Sequence, residues 1–304
     1  MMKKSILFCE TRVKFTDFRT DLALEMRESL EDENISGIET QCFEKADVSI
    51  TRIKILDEDG ARRLGKPVGT YITAEIPPLT KFCADENRLV DILSKELLSL
   101  LPTQGTVLTV GLGNESITPD ALGPLSCEMI LATRHIDGEL SRSAGLGTLR
   151  PSAVFSTGVM GQTGVETAEV IKGLAGLISP SAVIVIDALA ARRLSRLGRT
   201  VQMSDTGIVP GSGVGNRRSA INSEILGVPV ISIGVPTVVD ALTLAQELSG
   251  TEIGKSDESR NMIITPREID LVISRAARLV AMTVNKALQP HISTDEMMTL
   301  VSSY

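Results

Sequence analysis

Aromatic side chains make up only 3% of this 304-residue chain, and Trp is absent. Aliphatic and Ala packing must therefore build the core. Histidine is nearly absent too, with only His135 and His291. A Ser-His-Asp triad would need one of them, yet no Gly-x-Ser-x-Gly elbow follows a strand-like run, and Gly211-Ser212-Gly213 has the wrong spacing. The four cysteines, Cys9, Cys42, Cys83 and Cys127, form no Cys-x-x-Cys pair, and no His-Glu-x-x-His occurs. These absences exclude the usual zinc motifs and fit reduced thiols inside a cell. Basic charge is not in excess: the formal net charge is -7, which argues against a nucleic-acid-binding surface. No apolar run approaches the roughly 18 residues of a membrane span. Ile6 to Cys9, behind Lys3 and Lys4, is too short for a secretory signal. A cytoplasmic protein without membrane contact is expected.

What the chain has is a 42% hydrophobic share and 25 glycines, many placed just after apolar runs. That suffices for one or two domains with a large core. Leu22, Leu24, Met26 and Leu30 predict a short helix. Alternation over 49–56 and 68–76 predicts strands around an Asp57–Gly60 turn, a small β-containing part at about 48–80. Asn87 to Leu101 is an amphipathic helix. Strands then alternate with helices: 106–110 before a helix from about Pro119 to Thr133, 153–155 before 164–177, and 182–186 before Ala188–Leu197. Thr200–Met203 precedes a glycine loop, and 228–233 leads through Pro236 to a helix ending near Leu248. Residues 249–261 read as a polar loop, and a capped helix runs from Thr265 to about Leu288. The pattern predicts an α/β fold with a mainly parallel sheet and helices on both faces.

Two aspartates stand at strand ends. Asp120 follows Thr106–Val110 and the turn Gly111-Leu112-Gly113-Asn114; Asp187 directly ends Ala182–Ile186. Ligands of open α/β sheets bind beyond the strand carboxyl ends. Two carboxylates there can share a proton, one acting as acid and the other as base. Asp187 reads equally as the N-cap of a helix starting at Ala188, and Asp120 as a residue favoured by a helix dipole. The Gly111–Asn114 turn lacks the third glycine of a dinucleotide fingerprint, because position 116 is Ser. Asp205-Thr206-Gly207 occurs once and suits a turn. It leads into Pro210–Asn216, where Gly211, Gly213 and Gly215 let backbone approach a ligand or another loop.

These stretches resemble the germination protease family of spore-forming bacteria. The resemblance rests on Arg19-Thr20-Asp21-Leu22-Ala23-Leu24-Glu25, Gly65-Lys66-Pro67-Val68-Gly69-Thr70-Tyr71, Val110–Asn114, Thr118–Pro124 and Thr133-Arg134-His135. It continues through Gly158–Gly161, Ile186–Arg192, Asp205–Gly207, Gly211–Asn216 and Gly234–Asp240. It implies an endopeptidase, atypically aspartic, that degrades small acid-soluble spore proteins in the spore core. It also implies an inactive precursor and a homotetramer; no cofactor and no metal are expected, although the hydrogenase-maturation peptidases of related architecture bind a metal. The architecture implied is that of hydrogenase-maturation peptidases, phosphorylase-like rather than pepsin-like. The implied catalytic residues are Asp120 and Asp187. The implied self-cleavage site is Asp21–Leu22, which makes 1–21 a propeptide and 22–304 one peptidase domain. Gly111, Gly113, Asn114, Arg134, His135, Asp205, Gly211, Gly213, Gly215 and Asn216 are expected to serve substrate-binding or structural loops. The 249–264 region is shorter than in the family. Two other readings stand beside this one: a metallopeptidase liganded by Asp120, Asp187 and His135, and a non-enzymatic small-ligand-binding α/β protein.

Overall fold

Predominantly apolar runs become the central strands of one mixed sheet. A computed structural model describes residues 19–30, 35–81, 85–215, 218–250 and 262–302. The strands are β1 (Ile38–Lys45), β2 (Val48–Ile55), β3 (Gly69–Glu75), β4 (Val107–Gly111), β5 (Ser152–Ser156), β6 (Ala182–Ala191), β7 (Thr200–Ser204), β8 (Val230–Asp240) and β9 (Ile263–Ile264). Their order is β1-β2-β3-β7-β8-β6-β4-β5, with β9 also on β8. Strands β8, β6, β4 and β5 run parallel and form the expected parallel centre. β1, β2, β3 and β7 extend it antiparallel. β4 and β8 are buried along their whole length, and β6 nearly so, as strands covered on both faces must be. One face packs against helices Glu86–Leu100, Leu122–Glu128 and Ile269–Leu288 through Ile184, Ile186, Ile231 and Ile233. The other receives helix Thr167–Ile178 on Leu108, Val110, Val183 and Val185.

Several local expectations are corrected, and the corrections shape the site. No helix spans Ala188–Leu197. β6 runs on to Ala191, and only Leu194–Arg196 makes a short 3-10 turn. Ala and Leu favour helix, but β8 offers a full row of backbone partners on one side of this stretch, so tertiary pairing overrides propensity. Asp187 therefore lies inside a strand and caps no helix. β8 likewise passes through Pro236 to Asp240 before helix Ala241–Ser249 begins. Leu189 pairs with Pro236 and Ala190 with Val238, so Thr237 is an inserted bulge residue. A bulge is where a strand tolerates a residue with no N–H. The helix expected over 119–133 is a 3-10 turn, Thr118–Asp120, followed by helix Leu122–Glu128. The Asp57–Gly60 turn opens helix Glu58–Leu64, with Asp57 Oδ1 accepting from Gly60 N at 2.8 Å. Most of the polar 249–261 stretch lies outside the described residues, as do Cys9 and Cys83.

Candidate active site

β4 stops at Gly111, but its neighbour β6 continues five residues past Ile186, and the difference builds the site. Leu112 N still donates to Ile186 O at 2.8 Å, after which the chain turns away. In that turn Gly113 has φ +110°, and a Cβ there would stand 2.0 Å from Asp120 O. Only glycine fits, because the Asp120 backbone crosses against it. Gly113→Ala is expected to lower stability by at least about 3 kcal/mol, read as a drop in the thermal midpoint. Asn114 N donates to Asp120 Oδ2 at 2.8 Å, and Thr237 Oγ1 donates to Pro119 O at 2.8 Å, so the β8 bulge fastens the turn.

Asp120 is half-buried and Asp187 is 6% exposed. Both line one cleft of about 300 Å³, together with Asp21, Leu112, Gly113, Ala190, Gly211 and Val214 among others. Burial raises the Asp120 carboxyl, and the Asn114 amide partly offsets it. Burial holds Asp187 well above the carboxylate range, and the charges of Asp120 and Asp21 push the same way. Among the described residues, Ala188 N at 3.0 Å bonds its carboxylate. Such a pair retains a proton where an exposed aspartate has lost it, and its titration belongs to the pair.

The segment Arg19–Glu25 lies against the C-terminal end of β6 and the residues that follow it. Asp21 N donates to Ala190 O at 2.9 Å. The Asp21 carboxylate accepts from Ala190 N at 2.8 Å and from Ser212 Oγ at 2.6 Å. Gly213 leaves room for it, since a Cβ there would come within 2.3 Å of Asp21 Oδ2. Asp21 O accepts from Lys66 Nζ at 2.9 Å and Gln202 Nε2 at 3.0 Å, while Ala23 N donates to Gln202 Oε1 at 2.7 Å. Leu22 is fully buried beside Leu189, Leu197 and Leu244. Glu25, also buried, accepts from Arg192 N at 2.6 Å, Arg193 N at 3.0 Å and Thr20 Oγ1.

Of the residues singled out in the sequence, Asp21, Asp120, Asp187, Gly113 and Gly211 line the cleft. Leu22 enters the adjoining apolar pocket. Asn114 orients Asp120, and Gly215 packs against the Arg19 guanidinium. Gly111 lies beneath the turn against Gly123. Arg134 and His135 are exposed on the loop after helix Leu122–Glu128 and do not line the cleft. Asp205 is exposed, and its Oδ1 accepts from Thr70 N at 2.7 Å, which ties β3 to β7. Asn216 lies outside the described residues. Among the described residues no group of three or more His, Cys, Asp or Glu is arranged to hold a metal ion. Sequence reasoning missed Ser212, Gln202, Lys66 and Ala190 as parts of the site. Lys66 carried a faint signal, because it follows the helix-ending Gly65 at φ +69°.

A family model described as germination protease matches residues 18–249. The germination protease of Caldanaerobacter subterraneus subsp. tengcongensis is 43% identical, covering 93% of this chain and 98% of its own. That of Clostridium tetani is 38% identical, covering 92% and 98%. That of Bacillus licheniformis is 35% identical, covering 91% and 95%. Among solved structures, the NiFe hydrogenase maturation protease HycI from Thermococcus kodakarensis superposes with a TM-score of 0.37 and 18% identity. It covers 64% of this chain and 98% of its own, too loose a likeness to carry an argument. The chain is thus a peptidase with an α/β fold. It belongs to the germination protease family. No helix among the described residues is long and apolar enough to cross a membrane.

Proposed function

We propose that this chain is a self-processing endopeptidase whose aspartate pair, Asp120 and Asp187, activates the water that cuts the Asp21–Leu22 bond. The observation that carries the reading is that Asp21, the residue before that bond, lines the cleft holding both aspartates and is moored there through its carboxylate. The ionised member of the pair takes a proton from water as its oxygen adds to the Asp21 carbonyl carbon. The protonated member supplies the proton that lets the substrate bond break. Residues 1–21 then act as a propeptide, since Asp21 forms part of the cleft wall and occupies the contacts that a substrate's acidic residue would need.

In trans the same subsites favour a protein segment with an acidic residue before the cut and a large apolar one after it. A backbone amide and a hydroxyl receive the acid, and an aliphatic pocket takes the apolar residue. Small acid-soluble spore proteins, cut in the cytoplasm of the spore core by a homotetramer, are the substrates this reading assigns. Its test is to incubate the processed chain with such a protein beside an Asp187→Asn twin and to weigh the fragments intact. Cleavage after acidic residues, lost in the twin, is expected. Equal fragments from both would overturn the aspartate pair.

A further inference from the structure

We infer that Lys66 and Gln202 form the oxyanion-stabilising pair for the reaction, holding the carbonyl oxygen of the acidic residue at the cut. The inference rests on Asp21–Leu22 being the bond cleaved, and it deepens that reading. Peptide hydrolysis places negative charge on the carbonyl oxygen as water adds, and that charge needs donors already aimed at it. Asp21 O has two, Lys66 Nζ at 2.9 Å and Gln202 Nε2 at 3.0 Å. Both lie at hydrogen-bond distance of the ground-state oxygen on which the charge would develop. One donor is a cation, and charge-assisted bonds of this kind are about twice as strong as neutral ones.

Both donors are fixed from behind. Gln202 lies on β7, 8% exposed. Its Oε1 accepts from Ala23 N at 2.7 Å, so its amide group must face Asp21 O. The left-handed Gly65 turns the chain out of the preceding helix toward Lys66. Tyr71 Oη donates to Pro67 O at 3.0 Å and steadies the loop just beyond it. The scissile residue is gripped on all its polar atoms, with Ala190 O on its N–H and Ala190 N and Ser212 Oγ on its carboxylate.

The division of labour follows. Water loses one proton to the ionised carboxylate, its oxygen bonds to the Asp21 carbonyl carbon, and the displaced π pair becomes an oxyanion facing Lys66 and Gln202. When the pair returns, the C–N bond breaks and Leu22 N leaves with a proton from a protonated carboxyl of the pair. The products are a carboxylate and an ammonium, and no further reactant is consumed. The carbonyl oxygen needs no proton from an aspartate in this scheme.

The test follows self-cleavage of the full chain by intact mass over a series of pH values for wild type, Lys66→Ala, Lys66→Arg and Gln202→Glu. Gln202→Glu keeps the acceptor for Ala23 N and loses the donor at the pH values where its carboxyl is ionised, and the comparison is made there. Loss of either donor is expected to slow the cut about 10²–10³-fold, as removal of one oxyanion donor does. Lys66→Arg should retain much of the rate. Added ethylammonium should restore part of the Lys66→Ala rate, which a merely structural lysine would not allow. Lys66→Ala and Gln202→Glu cutting within about threefold of wild type would overturn the inference and leave the aspartate pair standing; a slow Lys66→Ala that neither arginine nor ethylammonium helps would overturn the part given to Lys66. A wild-type chain that is not cut between Asp21 and Leu22 would overturn the underlying reading instead.

Discussion

Asp187→Asn is expected to leave the protein folded and cleavage-inert, with self-cleavage slowed by about 10⁴-fold or more. The residue is itself buried on a central strand in which only Ala188 is partly exposed, and the near-isosteric amide changes charge and not shape. The variant should also be more stable than wild type at neutral pH. Asp187, Asp120 and Glu25 all titrate above their ordinary range because burial penalises the charged form. A carboxyl raised in this way binds its proton more tightly folded than unfolded. Its contribution to stability is full below the unfolded pKa and is lost as the pH climbs through the folded one. At neutral pH the wild type bears the strain of burying Asp187 among like charges, and the uncharged amide of the variant would bear none. A gain on the order of 1–3 kcal/mol is expected at neutral pH, shrinking as the pH falls. Thermal unfolding across pH reads it. A variant both inert and less stable at neutral pH would argue that Asp187 serves packing.

Self-cleavage of the wild type is expected to accelerate on acidification. The active form of the pair carries one proton. Above the pH at which that proton binds, each unit of acidification raises its population by up to about tenfold. Uptake of the second proton removes the base, so the rate should pass through a maximum and fall again. Burial places this maximum at higher pH than two solvated aspartates would give. First-order rate constants over a series of buffers trace the curve. A rate that rises steadily with pH would point to a different base.

The parallel centre of the sheet and the two carboxylates were legible in the sequence, because an apolar run ending in Asp187, and another followed by a glycine turn leading to Asp120, are local signals. The extent of β6 was not: Ala188–Ala191 reads as helix until β8 is beside it. β1 was hidden for the opposite reason. Both faces of this edge strand are largely exposed, so its residues carry no alternation. Lys66, Ser212 and Gln202 come from a post-helix loop, a glycine loop and a strand. They share no spacing, and only the fold brings them to Asp21. Arg134 and His135, expected to serve a substrate-binding or structural loop, lie on an exposed loop away from the cleft.

The central claim is that the chain presents its own Asp21–Leu22 bond to Asp120 and Asp187. Intact-mass kinetics of the purified full chain in mild acid, run over a wide range of protein concentration, test it most directly. The account predicts a single product beginning at Leu22, formed at a first-order rate independent of concentration, because Lys66, Ala190, Gln202 and Ser212 moor Asp21 of the same chain. A cut elsewhere, or a rate that scales with concentration, would contradict it.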